Sequence, residues 1–121
     1  MRRDEWKPAF DASMRFHAYV YNNLSIDPEM VERLWRSVFG CVLKSFGVPK
    51  KSRRLLWEEL VKGNWGRLHQ TERECELSSA QWLGQLHDEV WYCSDRWSLD
   101  RLTRCHWLYR QYVAAIESEA A

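Results

Sequence analysis

The stretch DPEMVERLWRSVFGCVLKSFGVP, residues 27–49, decides the fold. Asp27 is a typical N-cap, Pro28 suits a first helical turn, and Gly47 followed by Pro49 ends a helix. Between these signals the apolar side chains recur at three- and four-residue spacings, and they are Val31, Leu34, Trp35, Val38, Phe39, Val42 and Phe46. An apolar face this wide predicts a helix that two neighbouring helices cover.

Helical patterns on both sides of this stretch predict further helices. A first helix is expected from Pro8 to Leu24, and its apolar stripe comprises Phe10, Met14, His17, Tyr21 and Leu24. A third helix should follow Pro49 and end at the break of residues 63–66. A fourth should begin at Ser78 or Ser79, and a fifth near Ser98. No Pro or Gly separates the last two, so one long helix is an open alternative.

The last two predicted helices also have apolar faces. The inward residues of the fourth are Trp82, Leu83, Leu86, Val90 and Cys93, and those of the fifth are Leu102, Cys105, Tyr109, Tyr112 and Ile116. The fold class that follows is all-α, a compact bundle of four or five amphipathic helices that forms a single domain over residues 1–121.

The composition narrows the class of protein further. In 121 residues, 18 Lys and Arg face 17 Asp and Glu, which excludes a strongly basic histone-like binder and an acidic mimic of nucleic acid. The uncharged runs are far short of the ~20 apolar residues of a membrane span. We therefore expect a cytoplasmic protein that does not associate with membranes, and the pattern leaves its oligomeric state open. Eight Trp are so many that some should lie at the surface.

The basic side chains are concentrated in the first part of the chain. Residues 1–70 contain 13 basic and 8 acidic side chains, whereas residues 71–121 contain 5 and 9. Four positive charges, Lys50, Lys51, Arg53 and Arg54, lie at the start of the third helix, where the helix dipole disfavours them. Departures from local rules gather at functional sites, so we expect this basic cluster to act in binding and not in folding; ordinary solvated surface charge is the alternative.

A second candidate binding surface lies on the fifth helix. A rotation of about 100° per residue places Arg104, Trp107 and Gln111 opposite its inward face. Trp97 and Arg101 should flank them if the helix reaches back that far. An exposed Trp beside Arg is suited to stacking on a nucleobase or to anchoring a protein interface. A central fifth helix that packs on two sides, with Trp107 buried, is the alternative.

Four cysteines and a repeated His–Cys pattern suggest testing whether the chain has a metal-binding site. Gly-x-Leu-His-x5-Cys occurs twice and contains His69 with Cys75 and His87 with Cys93. Residues six apart on a helix diverge by about 120°, so these are zinc-type ligands without zinc-site spacing. We predict reduced cysteines, no bound metal and no cofactor.

The sequence contains no catalytic signature. Phosphate-binding loops, nucleophile elbows and paired zinc-binding histidines are all missing, and the neighbours Cys105 and His106 diverge on a helix. We expect a non-catalytic interaction module that binds a protein or ribonucleoprotein assembly, or another nucleic-acid complex, through its Arg/Lys and Trp surface. The alternative is a small phage- or plasmid-type inhibitor that blocks a host or defence protein by direct binding. A catalytic or zinc-dependent role is a third interpretation.

Overall fold

Five α-helices build the fold of the computed structural model, which describes residues 3–62 and 77–120, with side chains over 6–59 and 77–120. The helices are α1 (Arg3–Asn22), α2 (Pro28–Ser45), α3 (Lys50–Lys62), α4 (Ser79–Cys93) and α5 (Leu99–Ala120). No strand occurs in these two ranges. The predicted all-α bundle is confirmed.

The helix ends follow the predicted capping signals. The Asp27 carboxylate accepts the N–H of Glu29 at 3.1 Å, and Gly47 ends α2 at a positive φ of 80°, a conformation that glycine adopts without a Cβ clash. Ser78 forms a reciprocal capping box with Gln81. The Ser98 hydroxyl accepts the N–H of Arg101 at the start of α5. The chain leaves the helix between Cys93 and Leu99, so the alternative of one long last helix is wrong.

The direction of the helices follows from contacts made by α1. Tyr19, near the end of α1, contacts Asp27 at the start of α2. Phe16, one turn earlier on α1, contacts Trp35 further along α2, so the two helices are antiparallel. Ser13 of α1 contacts Trp97, which follows the end of α4. His17, one turn later on α1, contacts His87 and Trp91, which lie earlier in the chain on α4. Because α1 is antiparallel to both, the ends of α2 and α4 lie at the same end of the bundle. The starts of α3 and α5 therefore lie there too.

The core is built around a buried histidine. α1 and α5 each pack against both α2 and α4, and α3 packs against α2. Nδ1 of His106 accepts the indole N–H of Trp35 at 3.0 Å, and both side chains are fully buried. The rings of Phe39, Trp57 and Tyr109 surround this imidazole at centroid distances of 5.2 to 5.8 Å. We call these five residues the His106 cage.

The predicted inward faces are largely confirmed. All five inward residues of α4 are buried, and so are those of α5 except Ile116, which is half-buried. In α2, Leu34 is only half-buried. Phe46 is exposed because it is the C-cap, where the chain has already left the helix.

The prediction for α1 needs correction. The helix begins five residues before Pro8, at Arg3, and ends at Asn22. The buried residues are Ala9, Ala12, Ser13 and Phe16, whereas the predicted stripe is at most half-buried, with Tyr21 and Leu24 exposed. Small side chains that face large ones across a helix pair fill space without voids, so Ala and Ser form the contact face here. The sequence prediction relied on hydrophobicity alone, so it chose the neighbouring stripe of larger apolar side chains instead.

None of the helices that the structure describes combines the length and the apolar content needed to cross a bilayer.

Candidate functional site: the basic end and the aromatic stack

The basic cluster lies at the end of the bundle where α3 begins, which we call the basic end. Lys50 and Lys51 are exposed in the first turn of α3. Arg54 is exposed, and its Nε lies 3.5 Å from a carboxylate oxygen of Glu58 one turn later. Three of the four charges are therefore available at the surface.

Arg53 has a structural role as well. Its guanidinium is partly buried and donates a hydrogen bond to the carbonyl of Val48 at 2.7 Å. That carbonyl belongs to the α2–α3 connection, so the bond holds the start of α3 to the end of α2. Because a charged donor to a backbone carbonyl contributes to stability, Arg53 also acts in folding, and its role in binding stays a prediction.

The predicted exposure of Trp107 is also wrong. This indole is 0% exposed and packs edge-on against Trp82 of α4, with ring centroids 5.6 Å apart. The guanidinium carbon of Arg104 covers its ring at 5.0 Å. α5 is central and buries every residue from Cys105 to Tyr109, which is the alternative that the pattern had left open. A helix that contacts neighbours on two sides has no exposed apolar face.

The other residues that were predicted to form this surface with Trp107 do not lie together in the structure. Gln111 and Arg104 are half-buried along α5. The indole N–H of Trp97 donates to the Ser13 hydroxyl at 3.0 Å, and its ring lies 6.5 Å from that of Trp35. Trp97 therefore anchors the α4–α5 connection to the core and does not present a free face.

Arg101 belongs to a different surface group. The guanidinium carbons of Arg96 and Arg101 lie 5.1 and 5.5 Å from the ring centroid of Tyr92, whose side chain is 58% exposed. Arg101 donates to the carbonyl of Arg96, and Arg96 donates to the Asp95 carboxylate. These bonds hold two positive charges over one aromatic ring. We call Tyr92, Arg96 and Arg101 the arginine–tyrosine group, and it lies at the basic end.

An aromatic stack crosses the neighbouring seam between α1 and α4. It consists of His17, Tyr21, His87 and Trp91. The ring of His17 lies 4.5 Å from that of His87 at an interplanar angle of 21°, and 4.3 Å from that of Trp91. Tyr21 extends the stack at 5.5 Å from His17. Trp91 is 53% exposed and Tyr21 is 73% exposed.

The two histidines of the stack are short of hydrogen bonds. Nδ1 of His17 and Nε2 of His87 are both shielded from solvent and have no hydrogen-bond partner among the described residues. Nδ1 of His87 lies 3.3 Å from an Asp88 carboxylate oxygen. Burial, together with the neighbouring His87, lowers the pKa of His17. His17 is therefore neutral in the folded protein near pH 7.

Sequence reasoning missed Trp91, Tyr92 and Arg96. A signal was present, because Val90 and Cys93 face inward and a helical rotation of 100° per residue leaves Trp91 and Tyr92 between them on the outside. His17, which the sequence placed in the apolar stripe of the first helix, is a half-buried member of a ring stack.

The cysteines of the described residues are thiols. Cys93 and Cys105 are buried, and the interaction with the Cys93 thiol, together with burial, raises the pKa of Cys105 well above its ordinary value. His87 lies in the seam between α1 and α4, whereas Cys93 lies in the core, so the two diverge as the six-residue spacing predicted. His69 and Cys75 lie outside the described residues. Within 6–59 and 77–120, no three His, Cys, Asp or Glu side chains converge on a metal position.

A groove of about 450 Å³ lies between the start of α2 and the second half of α5. Glu29, Glu32 and Glu117 line it, and none of the predicted binding residues does. Its carboxylates outnumber its single guanidinium, that of Arg110, so it does not suit an anionic ligand.

Comparisons with family models, with curated proteins and with solved structures find no match to this chain.

Proposed function

We propose that the chain is a non-catalytic interaction module that binds a ribonucleoprotein or another nucleic-acid complex through its basic end. The observation that carries this proposal is that two separate groups of cations, all of them exposed except the half-buried Arg101, lie at the same end of the bundle. One is the start of α3, with Lys50, Lys51 and Arg54, and the other is the arginine–tyrosine group.

The physical basis is electrostatic. Phosphates contribute most of the affinity in nucleic-acid complexes, and Arg and Lys bind them without regard to sequence. In the arginine–tyrosine group, Asp95 is the carboxylate bound to Arg96, while Arg101 donates to a backbone carbonyl. The unsatisfied N–H groups at the start of α3 add positive potential to that of Lys50 and Lys51. A net charge of only +1 therefore coexists with a locally cationic end.

The test is the salt dependence of binding. Fluorescence anisotropy should detect binding of a labelled single-stranded RNA by the full chain, with an affinity that falls as salt rises. Replacing Lys50 and Lys51 by Gln should weaken this binding and reduce the slope of log affinity against log salt by about 0.7 for each phosphate that the variant no longer binds. The melting temperature should not fall, because both side chains are exposed at a helix start that disfavours positive charge.

A matched control removes two charges elsewhere. Arg15 of α1 and Arg33 of α2 are exposed and lie outside the α3 cluster and the arginine–tyrosine group. The double change of Arg15 and Arg33 to Gln alters the net charge by the same amount and should leave the salt slope unchanged. Equal effects of the two double variants would show that the attraction comes from overall charge, and the basic end would then not be the site.

A second candidate function is that of a small inhibitor that blocks a host or defence protein. The observation that favours it is the exposed aromatic and apolar surface of α1 and α4, where Tyr21, Leu24, Trp91 and Tyr92 are all more than half exposed. Exposed aromatic residues beside Arg are typical of protein interfaces. This function predicts one-to-one binding to a purified protein target and negligible affinity for RNA in the anisotropy experiment.

A further inference from the structure

We infer that Trp91 is a stacking platform for an unpaired nucleobase, and that the nucleic-acid partner is therefore single-stranded where it meets this surface. This inference rests on the proposed function, since it names the class of nucleic acid that the basic end would hold. It adds a base-binding side chain to a surface that otherwise offers contacts to phosphates.

The indole of Trp91 is held in place before any ligand binds. His17 lies 4.3 Å from it on one side, and His87 lies a further 4.5 Å from His17. Two helices hold the aromatic stack in place, because His17 belongs to α1 whereas His87 and Trp91 lie one turn apart on α4. A half-exposed indole whose orientation is fixed loses little conformational freedom when a planar ligand stacks on it.

The charge beside the platform suits a nucleotide. Tyr92 follows Trp91 directly in the chain, and the guanidiniums of Arg96 and Arg101 lie over its ring. Because adjacent residues on a helix diverge by about 100°, these charges lie around α4 from the indole and would face the phosphates of neighbouring nucleotides, not that of the stacked base.

The geometry favours an unpaired base over a duplex. In a duplex both faces of each base are covered by its neighbours in the stack, so an indole at a convex helix surface has no base face to contact. A single strand exposes its base faces, and aromatic stacking on them contributes about 1–3 kcal/mol per base. Stacking is also tolerant of sequence, because every base has an aromatic face.

The test separates bases from phosphates on the full chain. Two fluorescent DNA strands of equal length are used, one of thymidines and one in which every base is replaced by an abasic site. The thymidine strand should bind about 5- to 150-fold more tightly to the unaltered protein, which corresponds to one stacked base. Trp91→Ala should remove most of that preference while leaving the abasic strand's affinity unchanged, and Trp91→Phe should retain part of it. Leu24→Ala, at an exposed apolar residue just beyond the end of α1, should not change the preference.

Each outcome has a defined meaning. Equal affinity of the unaltered protein for the two strands would overturn the stacking inference and leave the proposed function standing, because the phosphates alone would then account for binding. A duplex of the same length that binds as tightly as the thymidine strand would overturn it as well. Failure of both strands to bind would overturn the inference together with the nucleic-acid function and favour the protein-blocking candidate. A fall in affinity for both strands on Trp91→Phe would show a structural role for Trp91 and overturn its role as a platform.

Discussion

The His106 cage and the aromatic stack on α1 and α4 both contain Trp, His and Tyr, but the cage is buried and the stack is partly exposed. In the cage, the indole N–H of Trp35 and Nδ1 of His106 satisfy each other, and both are fully buried. In the stack, the imidazoles of His17 and His87 lie face to face in the seam between α1 and α4, and Trp91 is half exposed. All five rings of the cage are buried, whereas the stack leaves the rings of Trp91 and Tyr21 more than half exposed. The comparison teaches that the high Trp content serves two purposes, a core and a surface.

The largest expected effect is in the cage. Trp35→Ala should lower the free energy of unfolding by about 3–5 kcal/mol, because it leaves a large cavity and removes the partner of His106. Chemical denaturation followed by far-ultraviolet circular dichroism measures this change. A decrease below about 1 kcal/mol would mean that the cage is not the stabilising centre of the bundle.

A smaller effect isolates the hydrogen bond of the cage. Trp35→Phe keeps an aromatic ring but removes the N–H that His106 accepts, so the free energy of unfolding should fall by about 1–3 kcal/mol from the unsatisfied acceptor, plus a contribution from the smaller ring. Phe39→Leu, which changes packing in the same cage without touching that bond, is the comparison. If both variants are destabilised equally, packing alone explains the cage.

In the stack, removal of the exposed indole should matter little for folding. Trp91→Ala should change the free energy of unfolding by no more than about 1 kcal/mol, since half of the side chain is already in water. The same denaturation experiment measures it. A decrease comparable to that of Trp35→Ala would show that the aromatic stack stabilises the fold as much as the His106 cage does. The proposed difference between the two regions would then be wrong.

The smallest expected effect is a pH dependence of stability carried by His17, a single half-buried imidazole. Its pKa in the folded protein is lowered from 6.5, so between the folded and unfolded pKa values the unfolded chain binds more protons. The contribution of His17 to stability is therefore fully present above pH 6.5 and falls as the pH drops from there through the folded pKa. Thermal melting between about pH 7.5 and about pH 5, a range that brackets the ordinary His pKa, should show a shallower decline for His17→Gln than for the unaltered protein. Identical pH profiles would mean that His17 titrates alike in both states.

The arginines of the basic cluster show how far a local pattern can be trusted. Four charges at a helix start identified an unusual segment, and the structure places Lys50, Lys51 and Arg54 at the surface as expected. The segment could not reveal that Arg53 reaches back to the Val48 carbonyl, because that bond depends on the fold of the connection between α2 and α3. Whether the cluster binds a partner stays a prediction.

The sequence by itself determined the helices and most of their inward faces. Caps such as Asp27 and Ser78 and the periodicity of α2, α4 and α5 act within one or two turns, so they can be read without knowledge of the rest of the chain. Only the tertiary structure decided which side of α1 is buried and that α5 has neighbours on both sides. The burial of Trp107, the exposure of Trp91 and the stacking of His17 on His87 depend on where other helices lie. A helical pattern records how apolar a face is, but packing against its neighbours determines which apolar side chains leave the solvent.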